Sequence, residues 1–459
     1  MKRNLYNSLA QIYWNIPLSQ STKESFIRIV RRLLPHSNRL ISLSASFSRK
    51  LMIKYIDQVL SVPERSNEHV ELALTSYERQ SEDPLLIAYY LPQYHPTPEN
   101  DEWWGRGVTE WSNVSRAVPQ YVGHYQPRLP GELGYYDLRL TEVIARQIEL
   151  AQMHGIYGFA YYYYWFDGVR LLDKPLNAFL HDSSLDFPFC LCWANESWTR
   201  RFDGNSGEVI MQQGESTESY QAFIESVKPY FSDKRYIRVG DRPVLIIYRP
   251  SLIPNCSDVL AYWRAYCQKE SLGNPYLIGV KENTFDGDLL ALGFDVQSEF
   301  HPGTLFRYSK NITDKIPFIR NNFRGVVLDY ADLVLNKKYL KFQAEKLHRA
   351  VMPMWDNTPR RNNTAMIYQG SSPELYKQWL KDILKETRTN HQLDASFIFI
   401  NAWNEWGESA YLEPDRRYGY AYLRATRDAI EETRESATGT RLDPQAQPTG
   451  VNAERARQG

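Results

Sequence analysis

The chain has 459 residues, long enough for a large core, and its 54 Lys and Arg balance 54 Asp and Glu. A net charge of zero argues against nucleic acid as the main partner, because phosphate binding wants a net basic footprint. No run of about 18 apolar residues occurs, which excludes a transmembrane helix in the sequence as read.

In chain order, three zones are expected: a basic helical extension over 1–80, a body over 84–435 and a disordered polar tail over 436–459. Residues 1–60 carry ten Lys or Arg against two Asp or Glu. The start is basic but lacks an apolar run behind it, a poor secretory signal. Lys23–Leu34 has helical periodicity, with Phe26, Val30 and Leu33 on one face and Arg28, Arg31 and Arg32 elsewhere. It reads either as a helix lying on an anionic membrane surface or as one packed on the body.

In the body, strand-like runs are expected at 85–94, 157–165, 188–195, 243–249, 276–281, 295–300, 351–356 and 397–403. Helices are expected at 142–154, 171–181, 216–231, 257–271, 337–350, 373–388 and 420–434. Eight strands in βα alternation imply a (β/α)8 TIM barrel; an open doubly wound sheet is the alternative. Polar and aromatic residues just after strand ends favour the barrel, since barrel enzymes keep their sites there. Cys190, Cys192, Cys256 and Cys267 lack metal-ligand spacing and read as reduced and structural, which suits a cytoplasmic protein.

The first strand closes on Tyr89-Tyr-Leu-Pro-Gln93-Tyr94-His95 and runs into Trp103-Trp104 and Glu110-Trp111. Gln93, Tyr94, His95, Glu110 and the tryptophans are candidates for sugar contacts, with burial under a long loop as the plain alternative. In Tyr161-Tyr-Tyr-Tyr164-Trp165, alternation sends Tyr161 and Tyr163 one way and Tyr162 and Tyr164 the other. Tyr163 and Trp165 are the candidates taken from this run. After the third strand, Trp193-Ala-Asn195-Glu196-Ser-Trp198 leads to Arg200, Arg201 and Asp203. Indole faces, amide donors and carboxylate acceptors together describe a sugar subsite; an ion pair such as Glu196 with Arg200 is the alternative. Glu299, His301, Trp355 and Asp356 end two further strands and are weaker candidates.

The last strand leads into Asn401-Ala-Trp403-Asn404-Glu405-Trp406-Gly407-Glu408 and on to Glu413-Pro414. Glu405 and Glu408 stand three residues apart among indoles. Glycosidic chemistry needs a pair of carboxyl groups, one protonated and one ionised, and proximity helps because each charge raises its neighbour's pKa. No phosphate-binding loop, dinucleotide fingerprint, HExxH or GxSxG pattern is present, and Asp286-Gly-Asp288 is a weak nucleotide-sugar signature. No metal or cofactor is expected.

Ala88–His95, Gly107–Trp111, Trp193–Trp198 and Asn401–Glu408, four motifs in order, resemble the WbsX-like proteins, which are glycoside hydrolase family 99-like. The likeness covers about residues 84–430. It implies a TIM barrel, kinship with retaining endo-α-mannosidases and a link to bacterial surface polysaccharide such as O-antigen. By that resemblance Glu405 would deprotonate the sugar 2-hydroxyl and Glu408 would serve as acid and then base. The chain departs from the hydrolase motif at Gly407, Ser409 and Ala410, where that motif has His, Gly and Thr. WbsX-like proteins are also described as glycosyltransferases, and a non-catalytic glycan-binding barrel is a third reading.

Overall fold

Runs rich in β-branched and aromatic residues, buried on both faces, are what a parallel barrel needs from its strands. A computed structural model describes residue 50, residues 52–61 and residues 64–438, apart from 200–208, 283–284, 286, 320–321 and 391. The helix read over 23–34, residues Arg200, Arg201 and Asp203, and the tail from 439 lie outside the described residues.

Eight parallel strands close a ring: β1 (Leu85–Tyr90), β2 (Gly158–Phe166), β3 (Phe189–Trp193), β4 (Arg242–Ile247), β5 (Tyr276–Val280), β6 (Val296–Ser298), β7 (Leu347–Val351) and β8 (Phe397–Ile400). Closure is direct, because β1 pairs with β8 through Leu85↔Phe397 and with β2 through Ile87↔Gly158. Two short helices, α1 (Pro98–Trp104) and α2 (Glu110–Arg116), sit in the long connection after β1. Next come α3 (Thr141–Met153), α4 (Lys174–His181), α5 (Thr217–Phe231) and α6 (Cys256–Lys269), one after each of the first four strands. The chain then adds α7 (Tyr330–Leu335), the loop helix α8 (Thr358–Arg361), α9 (Pro373–Thr389) and α10 (Ala421–Thr438). This is the expected (β/α)8 barrel. Among the described residues no separate helix follows β5.

One strand and one helix differ from expectation. The seventh strand is Leu347–Val351, not 351–356, and 337–350 is not a helix but a 3₁₀ turn at Lys338–Lys341 followed by that strand. Leu347-His-Arg-Ala-Val351 reads as too polar for a strand, yet all five residues are buried. Arg349 is tolerated there because Glu299 and Glu386 accept from its guanidinium at 3.0 and 2.7 Å.

Strand alternation divides the aromatic residues between two layers. Tyr89, Tyr162, Phe300 and Phe399 pack inside the barrel, with ring centroids 4.9–5.7 Å from Tyr89. Trp165 and Trp193 point outward onto Phe223 of α5, at 5.6 and 4.1 Å. All four cysteines are buried free thiols. Among the described residues no helix is long and apolar enough to cross a membrane.

Candidate active site

Three loops at the carboxyl end of the barrel converge on one guanidinium. Nε of Arg360 lies 2.8 Å from Glu110, Nη2 lies 2.9 Å from Glu405 and Nη1 lies 2.9 Å from Glu408. The two expected catalytic glutamates therefore share a single cation with a third carboxylate from the loop after β1.

Local structure explains the convergence. Trp406–Glu408 is a 3₁₀ turn with Glu405 as its N-cap, and this tight turn keeps both carboxyls within reach of the one Arg360 guanidinium. Glu110 is the first residue of α2, whose N-terminus is closed by a capping box between Thr109 and Ser112. Its amide also donates to the Gln93 carbonyl at 3.1 Å. Arg360 rides on α8, which Asp356 anchors. That buried carboxylate accepts from His124 and Gln126 at 2.6 Å and from the Thr358 amide at 2.9 Å. Burial opposes its ionisation, but the His124 charge and hydrogen bond hold Asp356 down at about 2. Its own amide donates to the Glu408 carbonyl at 2.8 Å, which ties the loop of Arg360 to the turn of the glutamates.

With all three carboxylates ionised and one guanidinium among them, the cluster would carry two net negative charges. Burial pushes Glu405 up to about 8; Arg360 opposes the rise, while Glu408 and Glu110 add to it. Burial raises Glu408 too, again against Arg360. The pair thus titrates as a unit and retains a proton near neutrality. Glu408 is the more accessible carboxyl, with its side chain 22% exposed against 6% for Glu405. The Glu110 Oε2 atom is buried with no hydrogen-bond partner among the described residues.

An aromatic wall stands beside the carboxylates. Half-buried Trp198 lies 5.4 Å from Tyr164 and 5.7 Å from Trp103. Burial, with the nearby Glu405 charge adding, pushes the Tyr164 hydroxyl well above the ordinary phenol range. On the other flank Glu196 pairs with Arg249, which also binds Glu282 at 2.6 Å. Glu196 and Glu408 both act on Tyr248, whose hydroxyl is held mostly by burial in its neutral form. Arg249 is thus a partner of Glu196 among the described residues, and Arg200 lies outside them.

Of the remaining candidates, most lie behind the site. Asn404 bonds both backbone groups of Leu91, accepting at 2.7 Å and donating at 3.0 Å, and so pins the β8 turn to the end of β1. Asn195 does the same to Arg249 at 2.8 Å on both sides. The Tyr94 hydroxyl donates to the Asn404 carbonyl and accepts from the Trp406 amide. Trp406 lies on Tyr411 at 3.8 Å, near Trp111 at 5.5 Å, and Trp111 donates to the Tyr136 carbonyl. Trp403, Trp193 and Trp165 are at most 1% exposed, which leaves no indole face for a sugar. Tyr163 faces α5 and donates to Ser226 at 3.0 Å. Gln93 is buried, and His95 is fully buried against the Pro92 carbonyl, its desolvation lowering its pKa. Trp104 ends α1 and is half-buried. Arg360 and Tyr248 are additions that no motif announced, and Tyr164 takes the place beside the site for which Tyr163 was the candidate.

Glu413 accepts from Trp406, Gln147 and Tyr136 at 2.6, 2.6 and 2.9 Å. Burial outweighs those bonds and raises it to about 7. A carboxyl raised in the fold stabilises fully below its unfolded pKa, and that advantage is lost as pH climbs through the folded value. Glu413→Gln should therefore flatten the stability profile between about pH 4.5 and 7, where the native chain loses on the order of 3 kcal/mol. Parallel slopes in urea melts across that window would refute this.

The profile described as Glycosyltransferase WbsX matches residues 86–426. Two proteins from strains of Xanthomonas campestris pv. campestris, both named Uncharacterized protein WxcX, are 43% identical over 353 residues, 77% of this chain and 50% of theirs. The chain spans about half the length of these curated relatives. Among solved structures, a glycoside hydrolase-like protein aligns with a TM-score of 0.50 at 14% identity, covering 80% of this chain and 99% of that one. The GH99 endo-α-mannosidase from Bacteroides thetaiotaomicron aligns with a TM-score of 0.47 at 16% identity, covering 78% and 100%. The first of these agrees with the barrel read from strand pairing. The profile match runs from β1 into α10, and on it the chain belongs to the Glycosyltransferase WbsX family.

Proposed function

We propose that this chain is a carbohydrate-active enzyme that breaks or transfers an α-linked glycosidic bond with Glu405 and Glu408. The observation that carries the reading is the pair itself: two glutamates that bracket one 3₁₀ turn, at a barrel's carboxyl end, joined through Arg360 and flanked by Trp198 and Tyr164. Aromatic faces suit the apolar faces of sugar rings, and paired carboxyls suit acid–base work on the glycosidic oxygen.

The resemblance supplies the roles. Glu405 takes the proton of the sugar 2-hydroxyl as that oxygen closes on C1 and the C1–O bond to the leaving sugar breaks. Glu408 gives its proton to the leaving oxygen. Water or an acceptor hydroxyl then attacks C1 while Glu408 takes its proton, the bond from C1 to the 2-oxygen breaks, and the 2-oxygen recovers the proton from Glu405. Burial alone ranks the carboxyls the other way, since Glu405 is the less exposed. A 2-hydroxyl donating to Glu405 favours its ionised form, because a hydrogen bond to a carboxylate lowers its pKa. The shared proton then falls to Glu408.

Assembly of surface polysaccharide such as O-antigen is the matching setting, and a glycosyltransferase acting there is the second reading, favoured by the family's description. Incubation with bacterial polysaccharides and with nucleotide sugars, read by mass spectrometry, separates the two. Product from glycan alone supports the first, and product only with a nucleotide sugar supports the second. Glu408→Gln should lower turnover by about 10²–10⁴-fold while glycan binding persists. Unchanged turnover in that variant, or no product from any substrate, would end the catalytic reading of the pair.

A further inference from the structure

Behind the Arg360 loop lies a cavity of ≈ 420 Å³ that the proposed chemistry leaves unused. It is lined by Arg116 and its neighbours at the end of α2, by Arg324, and by Thr358–Thr364. Four of its lining residues, Arg116, Arg324, Arg360 and Arg361, are arginines, and no Asp or Glu lines it. For a chain with zero net charge this is a pronounced local excess.

The charge of Arg360 is already engaged by Glu110, Glu405 and Glu408. The other three guanidinium groups are not: among the described residues none of Arg116, Arg324 or Arg361 makes a side-chain hydrogen bond or ion pair. Arg361 sits close enough to Glu408 to help hold its pKa down, so the cavity adjoins the glutamate pair. Its walls are held from both sides. The Arg324 amide donates to the Asn363 carbonyl at 2.7 Å, and the strand Val326–Asp329 pairs in parallel with Met366–Gln369. Arginine forks around a concave recess favour planar or tetrahedral oxyanions, which take two parallel N–H···O bonds.

We propose that this cavity is an anion subsite, which takes a carboxylate or phosphate carried on the glycan whose reacting bond lies at Glu405 and Glu408. The proposal rests on the catalytic reading for its placement but not for its test, which is equilibrium binding. On a Glu408→Gln background, calorimetry compares a glucuronate-bearing oligosaccharide with its carboxyl-reduced, neutral form. The acidic form should bind at least about ten-fold more tightly, the effect of one or two charge-assisted hydrogen bonds. That gap should fall below about three-fold with Arg324→Gln and Arg361→Gln together, and should narrow in about 1 M salt, where charges are screened within about 3 Å. Replacing both by Lys should keep most of the gap, which separates lost charge from lost fold. Equal affinity for the two forms would overturn the proposal, as would a gap that survives the double Gln change. So would arginine-dependent binding of inorganic phosphate or a nucleoside diphosphate alone with no gap between the glycans, because the anion would then not be glycan-borne. Full turnover by Glu408→Gln would instead sink the catalytic reading and leave the affinity gap still measurable.

Discussion

Replacing Arg360 with Gln should shift the pH dependence of turnover to higher pH and destabilise the fold most above pH 8. The guanidinium is the one cation within ion-pair distance of Glu110, Glu405 and Glu408 among the described residues. It opposes a burial-driven rise that already takes Glu405 to about 8. An opposite charge at this range is worth about 1–3 pKa units, so its loss should carry the pair's ionisation up by that order. The stability effect follows with its sign. A carboxyl raised in the fold stabilises below its unfolded value and loses that contribution as pH rises through its folded value. Removing Arg360 enlarges the raise, so the variant should lose less near pH 5, where Glu405 is protonated. It should lose about 3–5 kcal/mol once the carboxylates are forced to ionise without a partner. Urea melts from pH 5 to 9 measure this, and a loss that does not grow with pH would show that Arg360 acts through packing instead.

Much of the architecture was legible because barrel strands are short, apolar and spaced by helices of ordinary length. The seventh strand escaped because its sequence is polar, and its burial depends on Glu299 and Glu386, which lie far from it along the chain. A strand that satisfies a buried arginine through tertiary partners carries no apolar signal. The apolar run Val351–Trp355 beyond it carried a stronger one, and the reading slid by a few residues.

The site was legible in its carboxylates and misleading in its indoles. Glu405 and Glu408 stand out since paired acids after a strand have no packing use, and Glu110 came with the loop motif. The tryptophans stand out for the same reason, yet Trp165, Trp193, Trp403 and Trp406 are core residues filling the space around the strands and the β8 turn. Composition cannot separate an indole that binds a sugar from one that fills a large barrel's outer layer, because both need area and one hydrogen bond. Alternation offered two tyrosine sets without saying which faced in. Packing of Tyr162 on Tyr89 decides it and puts Tyr164, not Tyr163, beside the glutamates. Arg360 lies in the polar stretch Asn357–Thr364, where nothing in the residue pattern distinguishes it from a solvated arginine.

Gly407→Ala should be among the most damaging small changes in this chain, although it adds a single carbon. Position 407 is the first of the three places where the chain departs from the hydrolase motif, which has His there. A β-carbon on residue 407 would stand 1.5 Å from Glu110 Oε1 and 2.8 Å from Arg360 Nε. An overlap of that size cannot be relieved by a few tenths of an ångström, so the Glu110–Arg360 pair must part. Gly407 has no unusual backbone angle, so the penalty is steric and electrostatic, not conformational. Breaking a buried ion pair while its members stay buried costs about 3–5 kcal/mol. Because the same guanidinium orients Glu405 and Glu408, turnover should fall by about 10²-fold or more, as a misplacement near 1 Å can cause. A double-mutant cycle identifies the cause. If the glycine makes room for this pair, Glu110→Ala alone and Gly407→Ala alone should each be harmful. Their combination should then be clearly less harmful than the sum, by about 1–3 kcal/mol of coupling in both stability and kcat/KM. Additive losses would mean that the two positions act separately, and that the departure from the hydrolase motif has nothing to do with the third carboxylate in the site.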